Sequence, residues 1–420
     1  MEQIKERKKT NLDLLLILAL FILVRISCPA LSNIPIFSMA FTFVYGAAFV
    51  VLYFFFVNKM PWRDFYLMIA AFLYTAYIFF RGFAVGSGLF TREAFNAYII
   101  VFLTMIYLWV KQRPLATRVL LFRLIFAALI FNYVYSIIVL FFDPGASRAA
   151  AALGVLERSP YDILNAVGSF DAVYGGLSVI LILLSMRRLM KEQDLKNKTT
   201  LLVLILALVF IIMAAYGTAL VLLVIALALF IAQKNKLFLV GFLMVALVVV
   251  ILHEPVGAGL MKLSENIGFS ETISEKMNET GYMLQHFEAA GTYAGDKGRA
   301  ARMAWSWQTF LDYPIFGGLG IYGAKVGGHS ELLDMLGNFG LVGFGLIATY
   351  LVCLYRNVRE ELQTHTMKVC WKIVMFIFIL SSVLNPSLYS LQMMPMILMI
   401  SLVPAYIEHC KNKQTLGEAS

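Results

Sequence analysis

The sequence predicts an all-α, polytopic membrane protein of about twelve transmembrane helices with one large loop on the outer side. Hydrophobic residues make up 61% of the 420 positions and charged residues only 14%, and the mean hydropathy is +0.81. Soluble proteins are roughly 45–50% apolar and about 25% charged, so a water-soluble fold could not bury this much apolar surface. About 20 apolar residues cross a bilayer, and the length therefore allows roughly a dozen crossings.

The predicted helices are apolar runs bounded by charge, Gly or Pro. They cover about 12–31, 36–57, 64–80, 94–110, 117–142, 170–186, 199–214, 216–232, 237–253, 331–355, 370–385 and 389–407. Residues 1–253 then hold helices one to nine, 254–330 form a large periplasmic or extracellular loop, and 331–420 hold helices ten to twelve and a cytoplasmic tail. The first run follows four cations and is long enough to remain a helix, so we expect no cleaved signal peptide.

The distribution of Lys and Arg predicts the orientation, because cytoplasmic loops retain these residues. Alternate loops, starting with the N-terminus, hold 22 of the 34 cations, and six of the ten on the opposite side lie in the long loop. Those ten are Arg81, Arg92, Arg148, Arg158, Lys262, Lys276, Lys297, Arg299, Arg302 and Lys325. We expect both termini in the cytoplasm and the protein in a bacterial inner membrane. The net charge of +9 then reflects this bias and attraction to anionic lipid, and does not indicate nucleic-acid binding.

The cysteines and histidines predict no metal or cofactor. Cys353, Cys370 and Cys410 lie at predicted cytoplasmic helix ends and Cys28 in the outer half of helix one, so we expect no disulfide. No cysteine pair or histidine group has metal-ligand spacing, and no phosphate-binding Gly-Lys-Ser/Thr signature occurs. The sequence thus favours an activity that needs neither ATP nor metal.

The end of the outer loop holds the most informative residues. An amphipathic stretch, Arg299–Asp312, is stopped by Pro314 and carries Trp305 on an aromatic side. This side can rest on the membrane interface or on the face of a sugar. Two further stretches follow: Pro-Ile-Phe-Gly-Gly-Leu-Gly at 314–320, and Gly-Gly-His-Ser-Glu-Leu-Leu-Asp-Met-Leu-Gly-Asn-Phe-Gly-Leu-Val-Gly at 327–343.

In order and spacing, residues 299–350 resemble the signature of the O-antigen ligase and polymerase superfamily. That signature is an Arg, a Trp, a Pro-Leu-Phe-Gly-x-Gly turn, and a His followed by Asn or Ser at the start of a helix. The Ser after His and the Leu-Leu-Asp-x-Leu that follows most resemble the Wzy-type polysaccharide polymerases.

The resemblance implies a GT-C-like fold and a metal-independent membrane glycosyltransferase. Such an enzyme moves a growing O-antigen, capsule or exopolysaccharide chain from undecaprenyl diphosphate to the non-reducing end of a lipid-linked repeat unit. Its partners are undecaprenyl-diphosphate-linked oligosaccharide, as donor and acceptor, membrane lipid, and in some pathways a chain-length regulator protein.

His329 and Ser330 suit this chemistry. Ser330 can be the N-cap of helix ten, which places His329 beside free backbone amides at the positive end of a helix dipole, where a diphosphate is stabilised. His329 is the candidate catalytic residue, either as the base that deprotonates the acceptor hydroxyl or as the group that binds and protonates the departing diphosphate. A lone histidine at a helix start can also be a simple polar cap.

A diphosphate leaving group needs cations, and a guanidinium can bind phosphate through two parallel hydrogen bonds. Arg299 and Arg302 fit the arginine of the signature equally well, and Arg158 and Arg81 are further candidates from the outer side. A solvated arginine is the alternative for each. Arg25 lies inside the outer end of helix one, where it either serves a function or snorkels to the interface.

Asp171, Glu331 and Trp305 are candidate sugar contacts, although an acidic residue in a first helical turn also simply stabilises the helix. One departure from the family concerns the outer turn between helices seven and eight. Many members place a Ser-Arg pair there, where this chain has Tyr-Gly-Thr at 216–218. Another arginine, such as Arg158 or Arg81, must then contact the phosphate, or the substrate is bound differently. The departure also disfavours an O-antigen ligase that transfers glycan to lipid A core.

A transporter or flippase of lipid-linked oligosaccharide is the alternative from another class, since twelve spans with both termini inside suit a secondary transporter. Such transporters usually contain two matching halves. Residues 1–200 contain no counterpart of the loop at 254–330, and acidic residues within the predicted spans are scarce. The sequence therefore favours the polymerase.

Overall fold

The fold is that of a computed structural model of the chain, which describes residues 2–28, 31, 34–56, 60–85, 92–152, 167–193, 195, 198–233, 244, 252–266, 274, 277–278, 281, 285, 299–388 and 390–418. All regular structure among these residues is helical. The first nine helices are α1 (Glu2–Ser27), α2 (Met39–Phe56), α3 (Trp62–Ala84), α4 (Arg92–Lys111), α5 (Leu115–Phe142), α6 (Ala146–Ala152), α7 (Phe170–Glu192), α8 (Lys198–Ala214) and α9 (Gly217–Ala232). The others are α10 (His253–Asn266), α11 (Arg299–Asp312), α12 (Glu331–Glu361), α13 (His365–Leu384), α14 (Ser390–Met394) and α15 (Ile400–Glu418), with a π-helical turn at Pro395–Met399.

The described helices define a polytopic membrane protein. Seven of them are long and apolar enough to cross a bilayer: Trp62–Ala84, Ala94–Lys111, Leu115–Phe142, Phe170–Glu192, Glu331–Glu361, His365–Leu384 and Leu391–Thr415. Four shorter apolar helices are Leu14–Ser27, Ala40–Phe56, Lys198–Ala214 and Gly217–Ala232. These eleven coincide with eleven of the twelve predicted spans. Almost all of the predicted ninth span, 237–253, lies outside the described residues, so the number twelve stays a prediction.

Helix α7 lies at the centre of the bundle. It packs against α8, α9, α13 and α14, and almost every residue from Ala172 to Leu183 is buried. A helix that is apolar all round needs such a position. Gly175 permits the closest approach, because a Cβ there would overlap the backbone carbonyl of Leu391 in α14. Large side chains such as Phe55, Phe80 and Phe142 are mostly exposed on outer helices, as expected of a surface that faces lipid rather than water.

Helix α12 is broken at Gly340, whereas the sequence predicted one continuous span from 331 to 355. Gly340 has φ 63° and ψ −164°, a region that only glycine adopts readily. The backbone groups freed by the break bond to the Gly-rich turn at 314–320, as membrane-embedded backbone must find a partner. These bonds are Gly318 N to Gly337 O (2.7 Å), Leu319 N to Asn338 O (3.2 Å), Leu341 N to Pro314 O (2.8 Å) and Val342 N to Ile315 O (3.1 Å).

Helix α3 holds this turn from the other side. The Tyr77 hydroxyl donates to Phe339 O at 2.9 Å, just before the break in α12. The Arg81 guanidinium donates through Nη2 to Gly317 O at 3.2 Å and to Leu319 O at 3.4 Å. The turn, α3 and α12 therefore form one hydrogen-bonded unit that supports the segment before α12.

Candidate functional site

Helix α11 has the predicted bounds, Arg299–Asp312, and packs against α12 through a polar face. Ser306 and Thr309 are buried; the Ser306 hydroxyl donates to Asp334 Oδ1 at 2.6 Å and the Thr309 hydroxyl to Lys325 O at 2.7 Å. Trp307 and Leu311 are instead 46% and 52% exposed. Ser306 and Thr309 thus point toward α12 and the loop before it, while Trp307 and Leu311 lie on an exposed side, which suits a helix that rests on the membrane interface.

The loop before α12 is held by a carboxylate on the first turn of that helix. Asp334 accepts hydrogen bonds from Gly328 N at 3.2 Å and Ser330 N at 3.1 Å, in addition to the Ser306 hydroxyl. Gly327 lies against the Arg302 backbone, where a Cβ would overlap. His329 is therefore carried by a loop whose neighbours on both sides are fixed.

Arg302 and His329 are in direct contact although 27 positions separate them, with Arg302 Nη1 lying 2.8 Å from His329 Nε2. A guanidinium has donors only, so Nε2 is the acceptor in this bond and the ring proton of a neutral imidazole is on Nδ1. Both side chains are half-buried. The structure thus joins the candidate catalytic histidine to one of the two motif-matching arginines.

Ser330 is the N-cap of α12, as predicted: its hydroxyl accepts from Leu333 N at 3.3 Å. The residue is fully buried, and its hydroxyl also lies 3.4 Å from Ser382 O. This geometry does not favour a diphosphate contact through that oxygen. The sequence predicted free backbone amides beside His329. In the structure, the amides of Ser330, Glu331 and Leu333 donate hydrogen bonds within the protein. The Arg302 guanidinium, rather than the start of α12, is then the stronger candidate for an anion contact beside His329.

Glu331 and Trp305, the predicted sugar contacts in this region, have partners within the protein. Glu331 Oε2 accepts from Ser387 N at 2.9 Å and from Leu388 N at 3.3 Å, so the residue ties the start of α12 to the loop after α13. The ring of Trp305 lies 5.7 Å from the Lys325 ammonium, a cation–π distance. Their contacts with sugar stay predictions.

The other predicted cations lie in different places. Arg81 contributes the two bonds to the 314–320 turn described above, so it has a structural role in this fold. Arg158 and the side chain of Arg299 lie outside the described residues. Spacing alone could not choose between Arg299 and Arg302, and the contact with His329 makes Arg302 the stronger candidate.

Arg148, an arginine that the sequence did not single out as a site residue, lies at the turn between α8 and α9. Its Nη2 donates to Ala215 O at 2.5 Å, and its guanidinium carbon lies 6.0 Å from the centre of the Tyr216 ring. The Tyr216 hydroxyl donates to Ser147 O at 3.0 Å, and burial raises the pKa of that phenol. Arg148 of α6 thus places a cation at the 216–218 turn, whose own residues carry none. The Asp-Pro-Gly at 143–145 before an alanine-rich run was the available signal for this helix.

Asp171 belongs to a second group of polar residues, close to the turn between α8 and α9. It lies in the first turn of α7, within electrostatic reach of Arg25 in α1 and of Tyr216. A carboxylate in a first helical turn is favourable in itself. The structure therefore brings Asp171 together with Arg25, a residue that the sequence left between a functional and a snorkelling role.

The fold and the site together define the class of the protein. It is a polytopic membrane protein, helical throughout its described regular structure, with an arginine–histidine pair just before a broken helix. No protein-family model matches the chain, and no curated protein is similar to it. Across the described part of the chain, no group of three or more His, Cys, Asp or Glu side chains could hold a metal ion.

Proposed function

We propose that the protein is a polysaccharide polymerase of a bacterial inner membrane, with twelve GT-C-like spans and both termini in the cytoplasm. It transfers a growing glycan from undecaprenyl diphosphate to the non-reducing end of a lipid-linked repeat unit. The observation that carries the proposal is the Arg302–His329 contact, because it joins a base and a phosphate-binding cation at one point of the outer loop.

In this mechanism the diphosphate of the donor competes with His329 for the Arg302 guanidinium. A charged phosphate oxygen is a stronger acceptor than a neutral imidazole nitrogen, so binding of the donor releases Nε2. The acceptor hydroxyl then attacks the anomeric carbon, its proton passes to Nε2, and the bond between that carbon and the diphosphate oxygen breaks. Arg302 stabilises the negative charge on the leaving diphosphate.

The break in α12 is a feature that a transporter could share, since discontinuous helices form ion and substrate sites in transporters. In this chain, however, the carbonyls of Gly337 and Asn338 and the amides of Leu341 and Val342 are engaged by the 314–320 turn, and Phe339 O accepts from Tyr77. The break is thus closed by the protein itself, which supports the enzyme over the transporter.

Replacing His329 tests the proposal. We expect His329→Ala to leave the protein folded and inserted but to abolish long-chain glycan, so that single lipid-linked repeat units accumulate. His365→Ala is the matched control, because His365 also begins a helix but is exposed at the start of α13. Chain-length ladders on gels and the mass of the lipid-linked glycans are the measurements. Normal ladders in His329→Ala would overturn the catalytic assignment.

Purified protein distinguishes the candidate activities. Incubated with a defined lipid-linked repeat unit and neither nucleotide sugar nor metal, a polymerase yields polymer on lipid. A ligase yields transfer only when a lipid A core acceptor is added. A flippase moves the lipid-linked unit across vesicles and leaves its length unchanged, and this result would contradict the proposal.

A further inference from the structure

A groove of about 350 Å³ lies between α3 and α12, far along both helices from the His329 loop. Its walls include Ile69 and Leu73 from α3 and Thr349 and Cys353 from α12, and two arginines, Arg63 and Arg356, line one end. We call this the α3–α12 groove. Its combination of an apolar wall and a basic end is unlike the polar surroundings of His329.

The length of the groove along α3 matches the thickness of one membrane leaflet. Ten residues separate Arg63 from Leu73 on α3, which at 1.5 Å per residue is about 15 Å. The hydrocarbon core of a bilayer is about 30 Å thick, so the groove from its basic end to Leu73 spans about half of it. Tyr66 and Leu73 are 61% and 52% exposed, so the groove opens toward lipid. Trp62, 74% exposed at the start of α3, stands where interfacial aromatics gather.

The charged end of the groove retains an uncompensated cation. Arg63 is paired with Glu360 through Nη1. Two neighbouring carboxylates, the buried Asp64 and the half-buried Glu361, are paired with Lys111. Their oxygens lie 2.7 Å and 2.5 Å from the Lys111 Nζ. Arg356 is exposed, and none of the ion pairs among the residues that the structure describes includes it. Its guanidinium is thus available for an anion.

We infer that the α3–α12 groove binds an anionic phospholipid from the leaflet at the α12 C-terminus. The phosphate lies at Arg356, with Arg63 beside it, and an acyl chain follows Ile69 and Leu73. Basic pockets between transmembrane helices bind anionic head groups in this way, and the apolar wall adds the hydrophobic contribution of buried chain atoms. The site is independent of the proposed glycan transfer.

Native mass spectrometry of the full-length protein tests this site. The protein is released from mixed micelles that contain equal amounts of phosphatidylglycerol and phosphatidylcholine. We expect preferential retention of one phosphatidylglycerol, weakened about fivefold in Arg356→Gln, as one arginine near anionic lipid contributes about 1 kcal/mol. Arg359→Gln is the matched control, since it removes the same charge one turn away, where Arg359 lies over the Tyr355 ring.

A second pair of variants tests the apolar wall without changing charge. Cys353→Phe fills the groove and should abolish retention, whereas Val352→Phe changes the neighbouring residue, which is 50% exposed and does not line the groove. Equal loss in Arg356→Gln and Arg359→Gln would overturn the inference in favour of diffuse surface charge. Equal retention of both lipids by the wild type would also overturn it. So would a protein dimer that forms without lipid and is lost in Cys353→Phe, because a second copy of the chain would then occupy the groove.

Discussion

At the scale of single residues, a contact rather than spacing makes Arg302 a stronger candidate than Arg299. Arg302 reaches His329 because Ser306, one turn further along α11, is bonded to Asp334. The absence of a Cβ at Gly327 lets the loop lie directly on the Arg302 backbone. These two contacts, the bond from Ser306 to Asp334 and the close approach of Gly327 to Arg302, therefore place the Arg302–His329 pair.

Arg302→Lys should reduce the rate of polymer formation about a hundredfold, because loss of one well-placed donor to a developing oxyanion costs 10²–10³ in rate. Lysine retains the charge but cannot form two parallel hydrogen bonds with phosphate. Arg299→Lys is the matched control and should have the smaller effect. Initial rates with purified protein and a lipid-linked repeat unit are the measurement. A larger loss in Arg299→Lys would make Arg299 the diphosphate ligand instead.

At the scale of elements, the break in α12 is what brings the loop, the turn and the helix together. Without the break, the carbonyls of Gly337 and Asn338 would accept hydrogen bonds within the helix. The amides of Gly318 and Leu319 in the 314–320 turn would then lose their acceptors. The turn would then also lose its position under Arg81 of α3. The conformation of Gly340 thus affects three elements at once.

Gly340→Ala should destabilise the fold by about 1–3 kcal/mol or more, because its backbone angles are essentially restricted to glycine and a Cβ would overlap Ile315 and Gly317. Gly345→Ala, in the same helix, is the control, since nothing lies near its Cβ and alanine favours a helix by about 1 kcal/mol. Thermal unfolding in detergent should show a lower midpoint for the first variant only. Equal midpoints would mean that α12 can straighten without cost.

At the scale of the whole molecule, α3 and α12 are linked at both ends. Tyr77 and Arg81 hold the 314–320 turn at one end, and at the other end Lys111 of α4 joins the two helices. The Lys111 ammonium contacts Asp64 in α3 and, in α12, Asn357 at 3.1 Å and Glu361. Asp64 and Asn357 are buried. This network fixes the pair of helices that carry both the candidate site and the groove.

Lys111→Met should lower the thermal midpoint strongly, because breaking a buried ion pair costs about 3–5 kcal/mol. The variant removes the cation that Asp64 and Glu361 share and, among the described residues, leaves Asp64 only Arg63, whose Nε lies 3.9 Å from Oδ1. Arg188→Met is the control: the Arg188–Glu192 pair is an i,i+4 pair in which Glu192 is 49% exposed, and such pairs contribute less than about 1 kcal/mol. Adding Asp64→Leu to Lys111→Met should restore part of the stability. Similar midpoints for the two single variants would show that the network is not a structural link.

Sequence alone was sufficient for the properties that depend on local composition. Eleven apolar runs become apolar helices because backbone in lipid must satisfy its hydrogen bonds internally. The bounds of α11 follow from an amphipathic stretch that Pro314 stops, and the cap at Ser330 follows from the preference of serine for that position. Both signals lie within a few residues of the structure that they determine.

Only the tertiary structure decided which distant groups meet. It paired Arg302 with His329, assigned Arg81 to a turn, placed Arg148 at the 216–218 turn and broke α12 at Gly340. Each of these depends on the packing of elements that are far apart in the chain, and no local propensity encodes that packing. Apolar composition determined that the chain forms membrane helices, and the contacts between polar residues of distant helices and loops determined where the Arg302–His329 pair lies.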